Sequence, residues 1–83
     1  MEMGDKTTRV LDTRRKILDI LKSRGPSLPV HVAKATGTSM IFAGAFLSEL
    51  IAEKFVKTSN MNVGGSPLYM LPGQEGMLEN FYN

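Results

Sequence analysis

Residues 28–39 read LPVHVAKATGTS, and this stretch predicts a short helix, a tight turn and the start of a longer helix. Pro29 suits the first helical turn, because proline lacks only an N–H that would be unpaired there. Gly37 favours the end of the short helix, since glycine readily takes the positive φ of a helix terminus. Either Thr38 or Ser39 can cap the helix that follows.

That longer helix contains SMIFAGAFLSEL at residues 39–50, is apolar almost all the way round and is predicted to reach about Lys54.

The segments on either side supply the remaining elements. Residues 1–8 predict a flexible tail, and a helix with Asp12 as its N-cap follows and ends at Gly25-Pro26. Residues 55–58 and 68–71 have strand character and flank a turn around Gly64-Gly65, which predicts a β-hairpin. Residues 74–83 carry an amphipathic stripe, which is either a dimer helix or the start of a second domain. The stripe consists of Met77, Leu78, Phe81 and Tyr82.

Composition excludes several classes of function. The 83 residues include no cysteine, which excludes disulfides, thiolate metal sites and a cysteine nucleophile. His31 is the only histidine, so we expect no metal site, and the sequence holds no catalytic constellation or cofactor motif. The polar start and the short apolar runs argue against a signal peptide and a membrane span. We therefore expect a soluble, cytoplasmic protein that is not an enzyme.

The predicted order of helix, short helix, turn, longer helix and hairpin resembles a winged helix-turn-helix domain. The resemblance covers residues 9–73, which form the predicted domain. It rests on TRRKILDILKSRGP at 13–26, LPVHVAKATGTS at 28–39, AFLSELIAEKFVKTS at 45–59 and SPLYMLPG at 66–73. It implies an α+β fold of three helices and a two-stranded wing, similar to small archaeal and bacterial transcription regulators. In such domains the third helix usually enters the DNA major groove, and the wing contacts the backbone or the minor groove.

The resemblance also implies which side of the third helix faces the core. Its inward residues would be Ala43, Phe46, Leu47 and Leu50, and its outward residues would be Met40, Ile41, Gly44, Ala45, Ser48 and Ala52. Three interpretations of this outer face remain open: the C-terminal segment covers it, it docks a protein partner or a second copy, or it reads DNA bases.

The resemblance implies double-stranded DNA as the partner. Most basic residues lie within residues 1–34, so phosphate contacts are expected mainly there. The candidate DNA-binding residues are Arg14, Arg15, Lys34 and Lys57 for phosphates, Thr38, Ser39 and Ser48 for the groove, and Asn60 and Asn62 for the wing.

The third helix departs from this pattern, since residues 38–53 contain no Arg, Lys, Asn or Gln to read base edges. The hairpin after Lys57 also lacks cations for phosphates. An exposed apolar surface usually marks an interaction site. The alternative hypothesis is therefore a protein-docking module of the transcription or replication machinery. Its docking residues would be Met40, Ile41, Phe42 and Ala45.

Overall fold

The computed structural model describes residues 2–81, with side chains described from Leu11 to Glu79. Three helices are followed by a two-stranded antiparallel sheet and a short 3₁₀ helix. Their bounds are α1 Glu2–Arg24, α2 Pro29–Thr36, α3 Met40–Ala52, β1 Lys57–Val63, β2 Ser66–Met70 and the C-terminal 3₁₀ helix Glu75–Phe81. The predicted α+β architecture of three helices and a wing is therefore confirmed.

The start of α1 differs from the prediction. The helix begins at Glu2, so residues 2–8 are helical where the sequence predicted a flexible tail, and Asp12 lies inside the helix. The absence of proline before residue 26 leaves nothing to interrupt the helix.

The turn between α2 and α3 follows the prediction. Gly37 ends α2 with a φ of 70°. The Thr38 N–H donates to the Ala33 carbonyl at 3.0 Å, and the Gly37 N–H donates to the Lys34 carbonyl at 3.3 Å. These two bonds form a Schellman motif. Of the two predicted caps, Ser39 is the one used.

The end of α3 repeats this motif with a different residue. The helix stops at Ala52, two residues before the predicted end, and Lys54 takes a φ of 68°. The Phe55 N–H donates to the Leu50 carbonyl and the Lys54 N–H donates to the Ile51 carbonyl, both at 2.9 Å. Lysine thus occupies a position that usually belongs to glycine.

The core lies between the three helices and the wing. Its buried residues are Ile17, Leu21, Val32, Leu47, Leu50 and Val56, with Leu68 and Met70 also buried on the second strand. Ala43, Leu47 and Leu50 are buried on α3, and Phe46 packs against the core, as the winged-helix resemblance implies. Within residues 2–81 no single helix is long and apolar enough to cross a membrane, and α2 and α3 pass that test only as a pair bent by 109°.

The wing is held to the helices by backbone pairing. Lys57 is paired with Met70 at one end of the hairpin and Val63 with Ser66 at the other, with an irregular stretch between Thr58 and Asn62. There the Leu68 N–H donates to the Ser59 Oγ at 3.0 Å, so a side chain replaces the missing backbone bond. The backbones of Ser27 and Tyr69 exchange two hydrogen bonds of 2.8 and 2.9 Å, which attach the second strand to the loop after α1.

The C-terminal segment packs against α1 and the wing. The Gln74 Nε2 donates to the Leu21 carbonyl at 2.8 Å, and Met77 lies directly over Gly25, where a Cβ would come within 2.7 Å of the Met77 Cε. Met77 is 39% exposed and Leu78 is half-buried. The side chains of Phe81 and Tyr82, the rest of the predicted stripe, lie outside the described residues. The described part of the segment, Glu75–Phe81, is a 3₁₀ helix.

Candidate nucleic-acid interface

The outer face of α3 is exposed. Met40 is 51% exposed, Ile41 83% and Phe42 62%, although all three are large and apolar. Ala45, Ser48 and Ala52 are also exposed, while Gly44 is half-exposed. The interpretation in which the C-terminal segment covers this face is wrong for the described residues, because that segment contacts α1 and the wing. The face is open for a partner.

The N-terminus of α3 brings several of the predicted residues close together in the chain. The Phe42 N–H donates to the Ser39 Oγ at 3.2 Å, so Ser39 satisfies one of the unpaired N–H groups of the helix. Its hydroxyl proton remains a donor. Thr38 is half-buried beside it, and Lys34 is exposed in the last turn of α2. These groups offer one cation and two hydroxyls near the start of the outer face.

Two of the four predicted phosphate contacts are engaged by carboxylates. The Arg14 guanidinium forms a hydrogen-bonded ion pair with Glu53 and lies 3.7 Å from the Glu49 carboxylate. These contacts join α1 to the C-terminal half of α3. Arg15 is exposed, and among the described side chains neither Arg15 nor Lys34 has an ion-pair partner within 4.0 Å.

The second engaged cation lies at the base of the wing. The Lys57 Nζ lies 2.6 Å from the Glu75 Oε2, which joins the first strand to the 3₁₀ helix. The hydrogen bond from Lys57 lowers the pKa of the Glu75 carboxyl, and the Gly73 N–H, which donates to Glu75 Oε1 at 2.9 Å, acts in the same direction. Both partners are largely exposed, so the pair contributes little to stability.

The wing presents amides rather than cations. Asn60 and Asn62 are exposed on the first strand, as a wing-contact role requires. Gly64 and Gly65 both have positive φ and form the turn. Ser59 lies between the strands and is buried, so it is unavailable to a partner.

The carboxylates beside Arg14 were not predicted from the sequence. Glu49 lies in the last turns of α3 and Glu53 caps its C-terminus, and their spacing of four residues was visible in the sequence. Their pairing with Arg14 was not visible, because it depends on how α1 crosses α3.

No family model and no curated protein matches this chain. Two solved structures are similar to it. The Zalpha domain of PKZ from Carassius auratus, solved in complex with Z-DNA, is 27% identical with a TM-score of 0.68, and the match covers 76% of this chain and 97% of that one.

The second similar structure is a homodimeric winged helix-turn-helix DNA-binding domain, Mb0332 from Mycobacterium bovis, described as a possible ArsR-family transcriptional regulator. It is 24% identical with a TM-score of 0.62, and the match covers 98% of this chain and 82% of that one. The three helices and the two-stranded antiparallel sheet of this chain match these winged-helix structures. The chain has a winged helix-turn-helix fold.

Proposed function

We propose that this domain binds double-stranded DNA and acts as a transcription regulator without enzymatic activity. The observation that carries the proposal is the match to the Carassius auratus domain, which spans almost all of that domain and was solved with Z-DNA bound. The exposed outer face of α3 and the uncovered wing leave room for a duplex at the surface that such domains use.

The proposed contacts follow the residues that the structure leaves accessible. Lys34 and Arg15 contact phosphates, while Thr38, Ser39 and Ser48 lie at the groove. Asn60 and Asn62 extend the contact onto the wing. Arg14 and Lys57 reach phosphates only by exchanging their carboxylate partners. The Lys57–Glu75 pair is largely exposed and weak enough for such an exchange, while Arg14 is only 22% exposed and its exchange must also displace Glu53.

The direct test is an NMR titration of labelled protein with a mixed-sequence duplex at low salt. We expect amide shifts at residues 34–48 and in the wing, which fade as the salt concentration rises.

Lys34→Ala and Arg15→Ala should each weaken DNA binding and reduce the salt slope by about one. Lys16→Ala is the matched control, because it removes the same charge from an exposed α1 residue with no proposed contact. Unchanged affinity in both test variants would contradict the proposed contacts.

A second candidate function is protein docking within the transcription or replication machinery. The observation that favours it is the continuous exposure of Met40, Ile41 and Phe42, with Ala45 beside them. Met and aromatic side chains are frequent on binding surfaces.

The test of docking is Ile41→Asp. This variant should keep the fold, because Ile41 is 83% exposed, and it should abolish association with a partner or with a second copy. Retained association in that variant, measured by sedimentation and by pull-down, would contradict docking through this surface.

A further inference from the structure

The second strand of the wing uses both of its edges. On one side β2 pairs with β1, and on the other side the N–H and C=O of Tyr69 exchange two hydrogen bonds with the backbone of Ser27. Ser27, β2 and β1 therefore lie side by side in that order. Among the described strands none but β2 pairs with β1, so β1 forms the outer edge of the sheet.

The free edge of β1 presents a backbone donor and a backbone acceptor at Thr58. Thr58 lies opposite Tyr69 in the antiparallel register. Because the N–H and C=O of Tyr69 both point toward Ser27, the N–H and C=O of Thr58 point away from β2. Within the described residues neither of these Thr58 groups has a hydrogen-bond partner. Such an edge is a template for pairing with another extended chain.

A cleft of about 170 Å³ lies beside this edge, between the wing and the 3₁₀ helix. Thr58 and Lys57 line it from β1, Met70 from β2, and Glu75 and Leu78 from the 3₁₀ helix. Met70 is buried and Leu78 is half-buried, so these two supply the apolar part of the wall. Lys57 and Glu75 form an ion pair with each other. The cleft therefore suits an uncharged side chain.

The edge also lacks the charged side chains with which exposed edge strands usually resist pairing. Residues 58–74 include no Asp, Glu, Lys, Arg or His, and Lys57 at the start of the strand is held by Glu75. The register is irregular between Thr58 and Asn62, and such irregularities bend a strand. Regular pairing is therefore available only at the beginning of β1.

We propose that the beginning of β1 binds an extended peptide segment of a partner protein by strand addition. One residue of the segment pairs with Thr58 through its backbone N–H and C=O. The next residue of the segment points to the opposite face of the sheet, which carries Lys57 and Met70, and its uncharged side chain enters the cleft. The proposal uses no residue of α3, so it stands apart from DNA binding and from docking through α3.

The test begins with a phage-displayed library of random linear peptides selected on the immobilised domain. A peptide from the enriched sequences is synthesised and titrated into isotope-labelled domain. We expect NMR shifts at residues 57–60 and 75–78. The Thr58 amide should exchange rapidly with solvent in the free domain and become protected once it donates to the peptide.

A proline variant removes the backbone donor. Thr58→Pro should keep the fold, because the Thr58 N–H does not pair with β2, and a circular dichroism melt checks this. The affinity for the peptide should fall roughly tenfold or more, since a hydrogen bond is lost and the proline ring blocks close approach of the peptide backbone. Thr58→Val is the matched control, because it keeps the N–H and a β-branched side chain, and its affinity should stay within about twofold of the parent.

Four outcomes would overturn the proposal. Strand addition is wrong if the library yields no enriched peptide, or if Thr58→Pro binds the enriched peptide as tightly as the parent does. Protection of the Thr58 amide in the free domain at low concentration would show that another part of the chain covers the edge. Protection that appears only as the protein concentration rises would show that a second copy, rather than a peptide, occupies it. The exchange measurements use the parent protein, so they decide the question even where Thr58→Pro fails to fold.

Discussion

Lys54 occupies a left-handed backbone position at the end of α3, with a φ of 68°. This conformation costs an L-residue about 1–2 kcal/mol, and glycine adopts it without that cost. We expect Lys54→Gly to raise the free energy of unfolding by about 1 kcal/mol, after the added chain entropy of glycine in the unfolded state is counted. Urea denaturation of the two proteins measures the difference.

Two companion variants isolate the backbone effect. Lys54→Ala removes the same charge and side chain but keeps a Cβ in the left-handed region, so its stability should stay within about 0.5 kcal/mol of the parent. Gly37→Ala makes the reverse change at the end of α2, where φ is 70°, and should cost about 1 kcal/mol. Equal stability of the glycine and alanine variants at position 54 would contradict the backbone explanation.

Gly44 lies in the middle of α3, and a Cβ added there would have no neighbour within 4 Å. Glycine inside a helix is about 1 kcal/mol less favourable than alanine, so Gly44→Ala should stabilise the fold by up to that amount. The same methyl group would keep a duplex from closely approaching the helix backbone, so we expect DNA affinity to fall. Thermal melts and anisotropy titrations measure the two effects separately.

The neighbouring residue supplies the control for Gly44. Ala45→Gly makes the opposite change at an exposed position of the same helix and should lower stability by about the same amount. If Gly44→Ala raised both stability and DNA affinity, the exposed backbone at Gly44 would have no role in the close approach of DNA.

At the level of elements, the Lys57–Glu75 pair joins the wing to the 3₁₀ helix. Because the pKa of Glu75 is lowered in the fold, the pair stabilises the fold above the unfolded-state pKa of that carboxyl. This contribution to stability is lost as the pH falls through the folded-state pKa of Glu75.

Lys57→Gln should shift the pKa of Glu75 upward, as measured by the NMR chemical shift of the Glu75 side-chain carboxyl carbon against pH. Lys54→Gln is the control, because it removes one positive charge at a position that does not pair with Glu75, and it should leave the pKa of Glu75 unchanged. An equal upward shift in both variants would contradict the pairing of Lys57 with Glu75.

Elements with local signals could be predicted from the sequence, and those fixed by distant contacts could not. Pro29, Gly37 and Ser39 set the ends of α2 and the start of α3 through their own backbone and side-chain chemistry, so that turn was predictable. The earlier end of α3 depends on Lys54 taking a conformation that its residue type disfavours. The docking of the C-terminal segment depends on a bond from Gln74 to Leu21, which lies 53 residues away.

The same distinction applies to the candidate site. The winged-helix resemblance placed Met40 and Ile41 on the outer face of the third helix, and in the structure both are exposed. The availability of Arg14 could not be predicted, because its partners lie on another helix and are reached only when α1 and α3 pack together. A count of basic residues therefore overstates the positive charge that the folded domain offers to a duplex.

At the scale of the whole molecule, that reduced charge should set the strength of the proposed DNA binding. With Lys34 and Arg15 as the phosphate contacts in use, the logarithm of the binding constant should fall with the logarithm of salt at a slope of about −2. If Arg14 and Lys57 were equally engaged, the slope would be nearer about −4. Anisotropy titrations over a range of salt concentrations distinguish the two cases, and the steeper slope would show that DNA displaces both carboxylate partners.

Releasing Arg14 should strengthen the interface. Glu53→Gln removes the ion-pair partner of Arg14 and one negative charge near the C-terminal end of α3, so DNA affinity should rise several-fold and the salt slope should steepen by about 0.9. The fold should persist, because an exposed ion pair contributes only about 0–1 kcal/mol. Asp19→Asn is the matched control, since it removes an equal charge from the exposed side of α1 and leaves Arg14 paired. If the two variants bind DNA equally well, the gain reflects net charge alone, and Arg14 does not contact the duplex.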